Sequence, residues 1–310
     1  MTTNIRIGIV GSGALGLYYG AMLQRSGQQV SFLLRRDLSA IQQNGLRVHS
    51  VNGDFHLPRV AGFANPNEIG PVDLVIVGLK TFANQHLVEL LGPLIGKQTA
   101  ILTLQNGLGN EELLAAEFGS EKILGGVAFL CSNRGKPGHV HHLGEGRIRL
   151  GEFDGGLSDR SKQLEAMFAV AGVPCEAVAD LRRARWEKLV WNIPFNGLCA
   201  LLQQDTTALL SQAGGRQLVH QIMHEVVTGG NAQPLKEKID GPAFIERMLH
   251  LTDQMDHYQP SMMIDRQENR PLELEAIYAI PLQQAAVAGI EMPKTAMLYT
   301  LLKQGENEKK

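Results

Sequence analysis

A lysine and two asparagines recur every four residues in an otherwise apolar segment. Lys188, Asn192 and Asn196 stand in RWEKLVWNIPFNGL (residues 185–198), among tryptophan, leucine, valine, isoleucine and phenylalanine. Side chains four residues apart share one face of a helix, and a buried polar group without a partner destabilises a fold. An ammonium can donate a proton and stabilise an alkoxide, while an amide offers both a donor and an acceptor. The spacing therefore predicts a polar helix face that binds a ligand.

Each of these residues also has a simpler interpretation. A lysine can carry its ammonium to water from a largely buried helix face. Pro194 lacks the backbone N–H that a helix interior needs, so we expect a kink or a helix end there. Asn196 would then lie off the ideal face, where a helix-terminal cap explains it equally well.

Three glycines near the start of the sequence have the spacing of a dinucleotide-binding loop. In GIVGSGALG (residues 8–16), Gly11, Gly13 and Gly16 follow a predicted buried strand and open a predicted helix, which is the context that the motif requires. The first glycine permits a tight turn, the second lets the backbone approach a pyrophosphate, and the third packs helix against strand. The helix start adds N–H groups for the anion, and a glycine-rich turn without a ligand is the alternative. The predicted cofactor-binding residues of this loop are Gly11, Ser12, Gly13, Ala14, Leu15 and Gly16.

The end of the second predicted strand bears on the choice of cofactor. NAD-binding folds usually have an acidic residue there, which binds the ribose 2′-hydroxyl. Here the strand QVSFLL (residues 29–34) is followed by Arg35 and Arg36, and guanidinium groups suit a 2′-phosphate. Asp37 stands further along the chain than that acidic residue does, but it leaves NAD as an alternative cofactor. A pair of solvated surface arginines is the competing interpretation of Arg35 and Arg36. The sequence favours NADPH.

Two further residues stand at predicted strand ends. Lys80 follows DLVIVGL (residues 73–79), and Asn106 begins the Asn-Gly turn after the next strand. Ligands of open α/β sheets lie outside the carboxyl ends of the strands, so both residues are candidates for cofactor contact, and Asn106 for substrate contact as well. The alternatives are an exposed terminal lysine and a tight loop.

Composition excludes several functional classes. The 310 residues include 29 lysines and arginines against 31 acidic residues, a net charge of −2, so no basic field recruits nucleic acid or an anionic membrane. No apolar run approaches the ~20 residues that span a bilayer, and we expect no signal peptide. Three widely spaced cysteines without a Cys-x-x-Cys motif suit a reducing compartment. The expected protein is globular and cytoplasmic.

Hydrophobic patterning divides the chain into two parts. Up to about residue 178, short apolar runs alternate with helix-like segments, which is typical of an α/β fold with a mostly parallel sheet. Beyond that point helical periodicity dominates. We predict a Rossmann-type NADP-binding domain over residues 1–178 and an all-α substrate domain over residues 179–310. Predicted strands are residues 5–10, 29–34, 73–79, 99–106 and 122–130, with a hairpin at 139–152; predicted helices of the second part are residues 181–193, 205–230, 236–257 and 272–289.

Together these motifs resemble the ketopantoate reductase family, the NADPH-dependent 2-dehydropantoate 2-reductases. The resemblance implies a Rossmann domain followed by a helical domain, with the active site in the cleft between them. The matching segments are GIVGSGALG, VGLKTF (residues 77–82), LQNGLGNEE (104–112), WEKLVWNIPFN (186–196) and PSMMIDRQENRPLELEAI (260–277).

The resemblance also implies roles for individual residues. Lys188 matches the lysine that acts as general acid, and Glu273, rather than the neighbouring Glu275, matches a glutamate that binds substrate or orients that lysine. Arg35 matches the phosphate-binding arginine better than Arg36 does. Further residues that match family positions are Lys80, Asn106, Asn192, Asn196 and Ser261.

Two departures from the family pattern fall where the substrate tail is expected. Many members have Ser-Ser-Met preceded by a substrate-contacting asparagine, whereas this chain reads YQPSMM with Tyr258 and Pro260, and RPLELEAI replaces the commoner Thr-Glu-Ile-Asp form. The leading prediction is NADPH-dependent reduction of 2-dehydropantoate to (R)-pantoate, in pantothenate and coenzyme A biosynthesis. The alternatives are a related D-2-hydroxy acid dehydrogenase for another branched or aromatic 2-keto acid, and a non-catalytic dinucleotide-binding regulator.

No metal is predicted. His220 and His224 have the i, i+4 spacing of a metal pair, but no third ligand is evident in the sequence. Glu225 matches a family glutamate without an assigned role. The expected binding partner is a small 2-keto acid, and a homodimer is compatible with the sequence.

Overall fold

The computed structural model describes residues 4–307, which form two compact units. The first unit is a Rossmann-like α/β fold and the second is helical, so the predicted fold class is confirmed. The division falls between Leu181 and Arg182, just after the predicted one. The loop Asn106–Gly109 belongs to the second unit, although the chain on both sides of it belongs to the first. In this part of the chain no helix is both long and apolar enough to cross a membrane.

A 10-stranded sheet forms the centre of the described first unit. Its strands are β1 (Arg6–Val10), β2 (Gln29–Leu33), β3 (Leu46–Ser50), β4 (Phe55–Leu57), β5 (Ala61–Phe63), β6 (Val72–Val77), β7 (Ile95–Thr103), β8 (Ile123–Arg134), β9 (His139–Glu152) and β10 (Cys175–Ala177). Their order is β4-β3-β9-β8-β7-β6-β1-β2-β5, with β10 beside β9. Within residues 4–307 every pairing is parallel except β3 with β4 and β8 with β9. The predicted mostly parallel sheet is therefore confirmed.

Central strands of this sheet bury both faces. Consecutive residues of a strand point to opposite sides, and in β6 Leu74 and Ile76 join one apolar cluster while Val75 and Val77 join another. This double burial explains why the sequence reads as continuous apolar runs. The helices of the first unit are α1 (Ala14–Arg25), α2 (Leu38–Asn44), α3 (Leu87–Leu91), α4 (Asn110–Phe118) and α5 (Asp159–Val170).

The second unit packs its helices around one apolar core. The core includes Trp186, Ile193 and Phe195 of the longest helix, together with Leu108 from the loop Asn106–Gly109. A π-helical turn, Glu275–Ala279, interrupts the regular helices. The α-helices are α6 (Leu181–Leu202), α7 (Thr206–Ser211), α8 (Ala213–Asn231), α9 (Gly241–Asp253), α10 (Ser261–Gln267), α11 (Ile280–Val287) and α12 (Pro293–Asn307).

The predicted helix end at Pro194 was wrong, because α6 continues through it to Leu202. An interior proline costs about 3 kcal/mol, but Ile193 and Phe195 on either side of it are fully buried. Burying two such side chains is worth roughly 3–6 kcal/mol. Tertiary packing therefore outweighs the local preference of proline.

The predicted hairpin at 139–152 is a single strand, β9, paired antiparallel with β8. The register shifts between Phe129 and Leu130, where Gly146 is the extra residue on β9 and has φ +122°. A glycine in the middle of the segment thus marks a bulge instead of a turn. The predicted helix 205–230 is also two helices, because Gln212 between α7 and α8 has an extended backbone.

Candidate active site

The glycine-rich loop joins β1 to α1, and the packing of the protein itself requires two of its glycines. Gly11 has φ +97°, and a Cβ there would lie 2.2 Å from the backbone nitrogen of Leu79. A Cβ at Gly16 would lie 2.3 Å from the carbonyl oxygen of Gly11. No other residue fits either position without a shift of backbone. These two glycines create the tight turn and the close contact between helix and strand.

Gly13 differs, because the chain itself does not require a glycine there. Its φ of −75° and ψ of −164° are extended backbone that any residue adopts. Apart from its chain neighbours, no atom of the described residues lies within 4 Å of its Cβ position. Since α1 begins at Ala14, the N–H groups of Ala14, Leu15 and Gly16 have no acceptor within the helix. Open space beside such donors fits the pyrophosphate of a dinucleotide.

The loop that follows β2 is joined to the glycine-rich loop by Ser12. The Ser12 hydroxyl donates to the carbonyl of Leu33, the last residue of β2, at 2.8 Å. Arg35 and Arg36 are both exposed beyond this point. Arg36 donates to the carbonyl of Gly135 at 3.0 Å, so its guanidinium is already partly engaged within the chain.

Asp37, the other candidate ribose ligand, is held inside the protein. The residue is 2% exposed. One carboxylate oxygen accepts from the guanidinium of Arg134, and the other accepts from the N–H of Gly138 at 3.1 Å. The carboxylate is therefore paired and buried within the first unit.

Lys80 lies at the same edge of the sheet as the glycine-rich loop. The N–H of Gly78 donates to the carbonyl of Val10, the last residue of β1, at 2.8 Å, which extends the pairing one residue beyond the end of β6. Lys80 follows two residues later, is half-buried, and precedes a 3₁₀ turn that begins at Thr81. This position matches the expected carboxyl end of the strand.

Helix α6 carries the lysine and the two asparagines without interruption. Lys188 is half-buried, whereas Asn192 and Asn196 are only 4% and 2% exposed. The Oδ1 atom of Asn196 has no hydrogen-bond partner among residues 4–307. A buried acceptor left unpaired costs about 1–3 kcal/mol, so a ligand that donates to this oxygen would remove the penalty. Because α6 continues to Leu202, the explanation of Asn196 as a cap at a helix end near Pro194 is wrong.

Asn106 and Glu273 are brought together in the second unit although 167 residues separate them in sequence. The Asn106 side-chain amide donates to the Glu273 carboxylate at 3.5 Å, and Glu273 is 4% exposed. Within the same loop, the N–H of Leu108 donates to the carbonyl of Ala276 at 2.9 Å. A Cβ at Gly107, whose φ is +81°, would lie 2.3 Å from that carbonyl oxygen. The loop is thus fitted closely against the π-helical turn that follows Glu273.

The π-helical turn is in turn fastened to α6 by Tyr278. The Tyr278 hydroxyl donates to the carbonyl of Ile193 at 2.9 Å. A Cβ at Gly197 would lie 2.5 Å from that hydroxyl oxygen, so glycine provides the space. Burial raises the pKa of Tyr278 well above its usual value. Through these contacts the loop, the π-helical turn and α6 form one assembly.

Helix α10 carries the candidate Ser261 and, four residues later, the carboxylate of Asp265. Ser261 is exposed at the first residue of α10, and within the described chain no hydrogen bond joins it to Asn106, Lys188 or Glu273. Asp265, which is 3% exposed, accepts from the guanidinium of Arg270 at 2.8 Å. Asp265 therefore stabilises the turn after α10.

Sequence reasoning missed a polar network that closes the loop Asn106–Gly109. Asn84 accepts from the Gln105 amide at 2.7 Å and donates to Asn110 at 3.0 Å. The Thr103 hydroxyl also donates to Gln105, at 3.0 Å. Gln105 and Asn110 stand directly before and after the loop, so Asn84 holds its two ends together. The run of polar residues after the buried strand in TLQNGLGN was the available signal.

Glu225 and the two neighbouring histidines have structural explanations. The Glu225 carboxylate accepts from the N–H groups of Lys294 and Thr295, at 3.1 and 2.9 Å, and from the Thr295 hydroxyl at 3.0 Å. It therefore pairs the first N–H groups of α12. His220 and His224 are exposed on α8, and residues 4–307 contain no cluster of three or more ligands suited to a metal ion.

Two sequence models of one protein family match the chain. The model described as Ketopantoate reductase PanE/ApbA matches residues 7–155, and Ketopantoate reductase PanE/ApbA C terminal matches residues 180–306. A curated relative from Nostoc sp. (strain PCC 7120 / SAG 25.82 / UTEX 2576), named 2-dehydropantoate 2-reductase, is 43% identical over 300 residues. The match covers 95% of this chain and 93% of the relative.

Solved structures show the same similarity over nearly the whole chain. The crystal structure of 2-dehydropantoate 2-reductase from Geobacter metallireducens GS-15 has a TM-score of 0.95 and 61% identity, covering 97% of this chain and 99% of that one. The structure of D-mandelate dehydrogenase with NADH and anilino(oxo)acetate has a TM-score of 0.89 at 23% identity, covering 98% of each chain. At that identity the second likeness shows the fold alone.

Proposed function

Because the chain belongs to the ketopantoate reductase family, we propose that it reduces 2-dehydropantoate to (R)-pantoate with NADPH, and that Lys188 donates the proton. The observation that carries this proposal is the assembly in the second unit. Helix α6 carries three polar side chains, and Tyr278 bonds this helix to the π-helical turn. Glu273, which pairs with Asn106, stands just before that turn. Binding a dinucleotide alone requires none of these groups. The assembly therefore favours an enzyme over a non-catalytic regulator.

The proposed cofactor is a nicotinamide dinucleotide, which supplies hydride when bound. The space beside Gly13 and the start of α1 would hold its pyrophosphate. NADPH is proposed over NADH for two reasons. Arg35 is exposed where a 2′-phosphate is expected, and Asp37 is buried and paired with Arg134, so it is not free to bind the ribose hydroxyls. Lys80 and Asn106 are the further proposed cofactor contacts.

Reduction of a 2-keto acid adds a hydride to the carbonyl carbon and a proton to the carbonyl oxygen. We assign the proton to the Lys188 ammonium, which also stabilises the developing alkoxide before it transfers the proton. Asn192 and Asn196 would bind the carboxylate or hydroxyl of the substrate, and the unpaired Oδ1 of Asn196 supports a bond from a substrate hydroxyl. Glu273 would accept from a substrate hydroxyl and favour the charged form of Lys188; Ser261 is the remaining proposed substrate contact.

The alternative substrate, a bulkier aromatic 2-keto acid, was motivated by Tyr258. In the structure the rings of Tyr258 and Trp191 lie 6.0 Å apart, so Tyr258 has an aromatic partner on α6. This contact explains Tyr258 through packing. We retain 2-dehydropantoate as the proposed substrate. The proposed location of the enzyme is the cytoplasm.

A panel of 2-keto acids tests this proposal. The purified protein is assayed with NADPH and with NADH against 2-dehydropantoate, other branched 2-keto acids and phenylglyoxylate, following the loss of nicotinamide absorbance. We expect the highest kcat/KM with 2-dehydropantoate and NADPH, at least about tenfold above NADH, and loss of that preference in Arg35→Ala. A higher kcat/KM for an aromatic acid would establish the alternative dehydrogenase, and absence of turnover with every acid would contradict the reductase proposal.

A further inference from the structure

The turn between β8 and β9 is bonded to the loop that follows β2. Arg134, the last residue of β8, pairs with Asp37 across 97 residues of sequence, and the N–H of Gly138 donates to the same carboxylate at 3.1 Å. Arg36 donates back to the carbonyl of Gly135 at 3.0 Å. Gly138 has φ +79°, a conformation that turns the chain tightly. Two loops distant in sequence thus form one structure, and Arg35 is part of it.

The charged groups of these two loops differ in their exposure to solvent. Arg35, Arg36 and Lys136 are exposed cations, whereas the carboxylate of Asp37 is buried and paired with Arg134. An unpaired carboxylate two residues from Arg35 would repel a phosphate dianion, because like charges brought together in a binding site weaken binding substantially. It would also offer the acceptor that binds the 2′-hydroxyl of NAD. The state of Asp37 therefore bears directly on which cofactor the loop selects.

We propose that Arg134 is a specificity-determining positioning residue, which makes the loop after β2 selective for a 2′-phosphate by neutralising and retaining Asp37. The inference rests on the proposed function, in which Arg35 binds the 2′-phosphate of NADPH. Arg134 acts through Asp37, so its effect depends on the carboxylate. Where residue 37 carries no charge, Arg134 is dispensable for cofactor selection.

The test compares two ligands that differ only in the 2′-phosphate. Adenosine 2′,5′-bisphosphate and adenosine 5′-monophosphate are titrated calorimetrically into the full-length protein, and the ratio of their affinities measures the contribution of the 2′-phosphate without any turnover. The variants are Arg134→Gln, Asp37→Asn and the double variant. Arg6→Gln is the matched control, because Arg6 forms an exposed ion pair with Asp73 at 3.0 Å, at the opposite end of β1 from the glycine-rich loop.

We expect the wild-type protein to bind the bisphosphate at least about tenfold more tightly than the monophosphate. Arg134→Gln should reduce that ratio about tenfold, with monophosphate affinity within about threefold of wild type. Asp37→Asn keeps an acceptor for the Gly138 N–H and removes the charge, so its ratio should equal or exceed the wild-type ratio. The double variant should match Asp37→Asn, and Arg6→Gln should match wild type.

An unchanged ratio in Arg134→Gln would overturn the inference, as would a double variant with a lower ratio than Asp37→Asn. If Arg134→Gln does not fold, as judged by circular dichroism, the comparison of Asp37→Asn with the double variant remains, because neither contains a buried unpaired carboxylate. Equal ratios would support the inference by excluding a direct contact of Arg134 with the 2′-phosphate, and a lower ratio in the double variant would overturn it. A wild-type ratio near unity would reject both this inference and the NADPH preference. Reduction of 2-dehydropantoate is assayed separately, so failure of the substrate proposal is distinguishable.

Discussion

Gly13→Ala separates the space that a ligand needs from the space that the fold needs. The backbone of Gly13 already has φ −75° and ψ −164°, and no described atom beyond its chain neighbours lies within 4 Å of the new Cβ. The substitution therefore meets no obstacle within the described chain. If a pyrophosphate lies against this backbone, the added methyl group occupies its place.

Worked from this geometry, the effect on stability is small and the effect on binding is large. Alanine at the N-cap of α1 loses about 0.5–1 kcal/mol of helix-capping preference, while replacing glycine restricts the unfolded chain and returns about 0.4–1 kcal/mol. The melting temperature should therefore stay within about 3 °C of wild type. Displacing the pyrophosphate from one or two charge-assisted hydrogen bonds, each worth about 1.5–3 kcal/mol, should raise the Kd for NADPH about 10- to 10⁴-fold.

The assay measures NADPH binding by calorimetry and unfolding by differential scanning calorimetry on the same samples. Gly16→Ala is the comparison for a fold defect, because its Cβ would lie 2.3 Å from the Gly11 carbonyl oxygen; it should cost at least about 1–3 kcal/mol of stability. Gly214→Ala is the matched control, because Gly214 lies in α8 and its Cβ would meet no described atom within 4 Å apart from its chain neighbours and the backbone of that helix. It should bind NADPH normally.

Normal NADPH affinity in Gly13→Ala would refute the assignment of this space to the cofactor. A large loss of stability in the same variant would refute the conclusion that the fold leaves space for a side chain at residue 13. Weak binding together with wild-type stability, against a destabilised Gly16→Ala, is the expected pattern.

The remaining predictions concern the second unit. Lys188→Ala should lower kcat by about 10²–10⁴ with an unchanged Kd for NADPH; near-normal turnover on the best 2-keto acid would remove the general-acid assignment. Glu273→Ala should raise KM for the keto acid more than it lowers kcat, because its proposed bond exists in ground and transition states alike; a kcat effect alone would contradict this. Since burial raises the pKa of Tyr278, its contribution to stability is complete below the unfolded-state pKa of about 10 and is lost as the pH rises above it. Urea unfolding midpoints should therefore decrease above about pH 10, less steeply in Tyr278→Phe; equal slopes would contradict the prediction.

The sequence by itself determined features that depend on near neighbours in the chain. Gly11 and Gly16 could be recognised because a strand, a turn and a helix follow one another within a few residues. Short apolar runs that alternate with helix-like segments predicted a mostly parallel sheet, since each βαβ unit is continuous in sequence. Helical periodicity likewise predicted the all-α character of the second unit.

Only the tertiary structure decided which distant residues meet. The pairs Asn106–Glu273, Arg134–Asp37 and Tyr278–Ile193 span 167, 97 and 85 residues. Local patterns show which face of an element is buried, but they do not specify the element packed against it. The sequence therefore could not show that Arg134 forms the ion pair with Asp37. It also could not show that the loop Asn106–Gly109 belongs to the helical unit.

Tertiary packing also overruled local preferences within single elements. Pro194 predicted a kink or an end in α6, and the end was wrong, because burial of Ile193 and Phe195 stabilises a helix that continues to Leu202. Gly146 predicted a turn, but long antiparallel pairing with β8 accommodates it as a bulge. In each case the free energy of burying side chains or pairing a strand, summed over many residues, exceeds the roughly 1–3 kcal/mol that one proline or glycine costs.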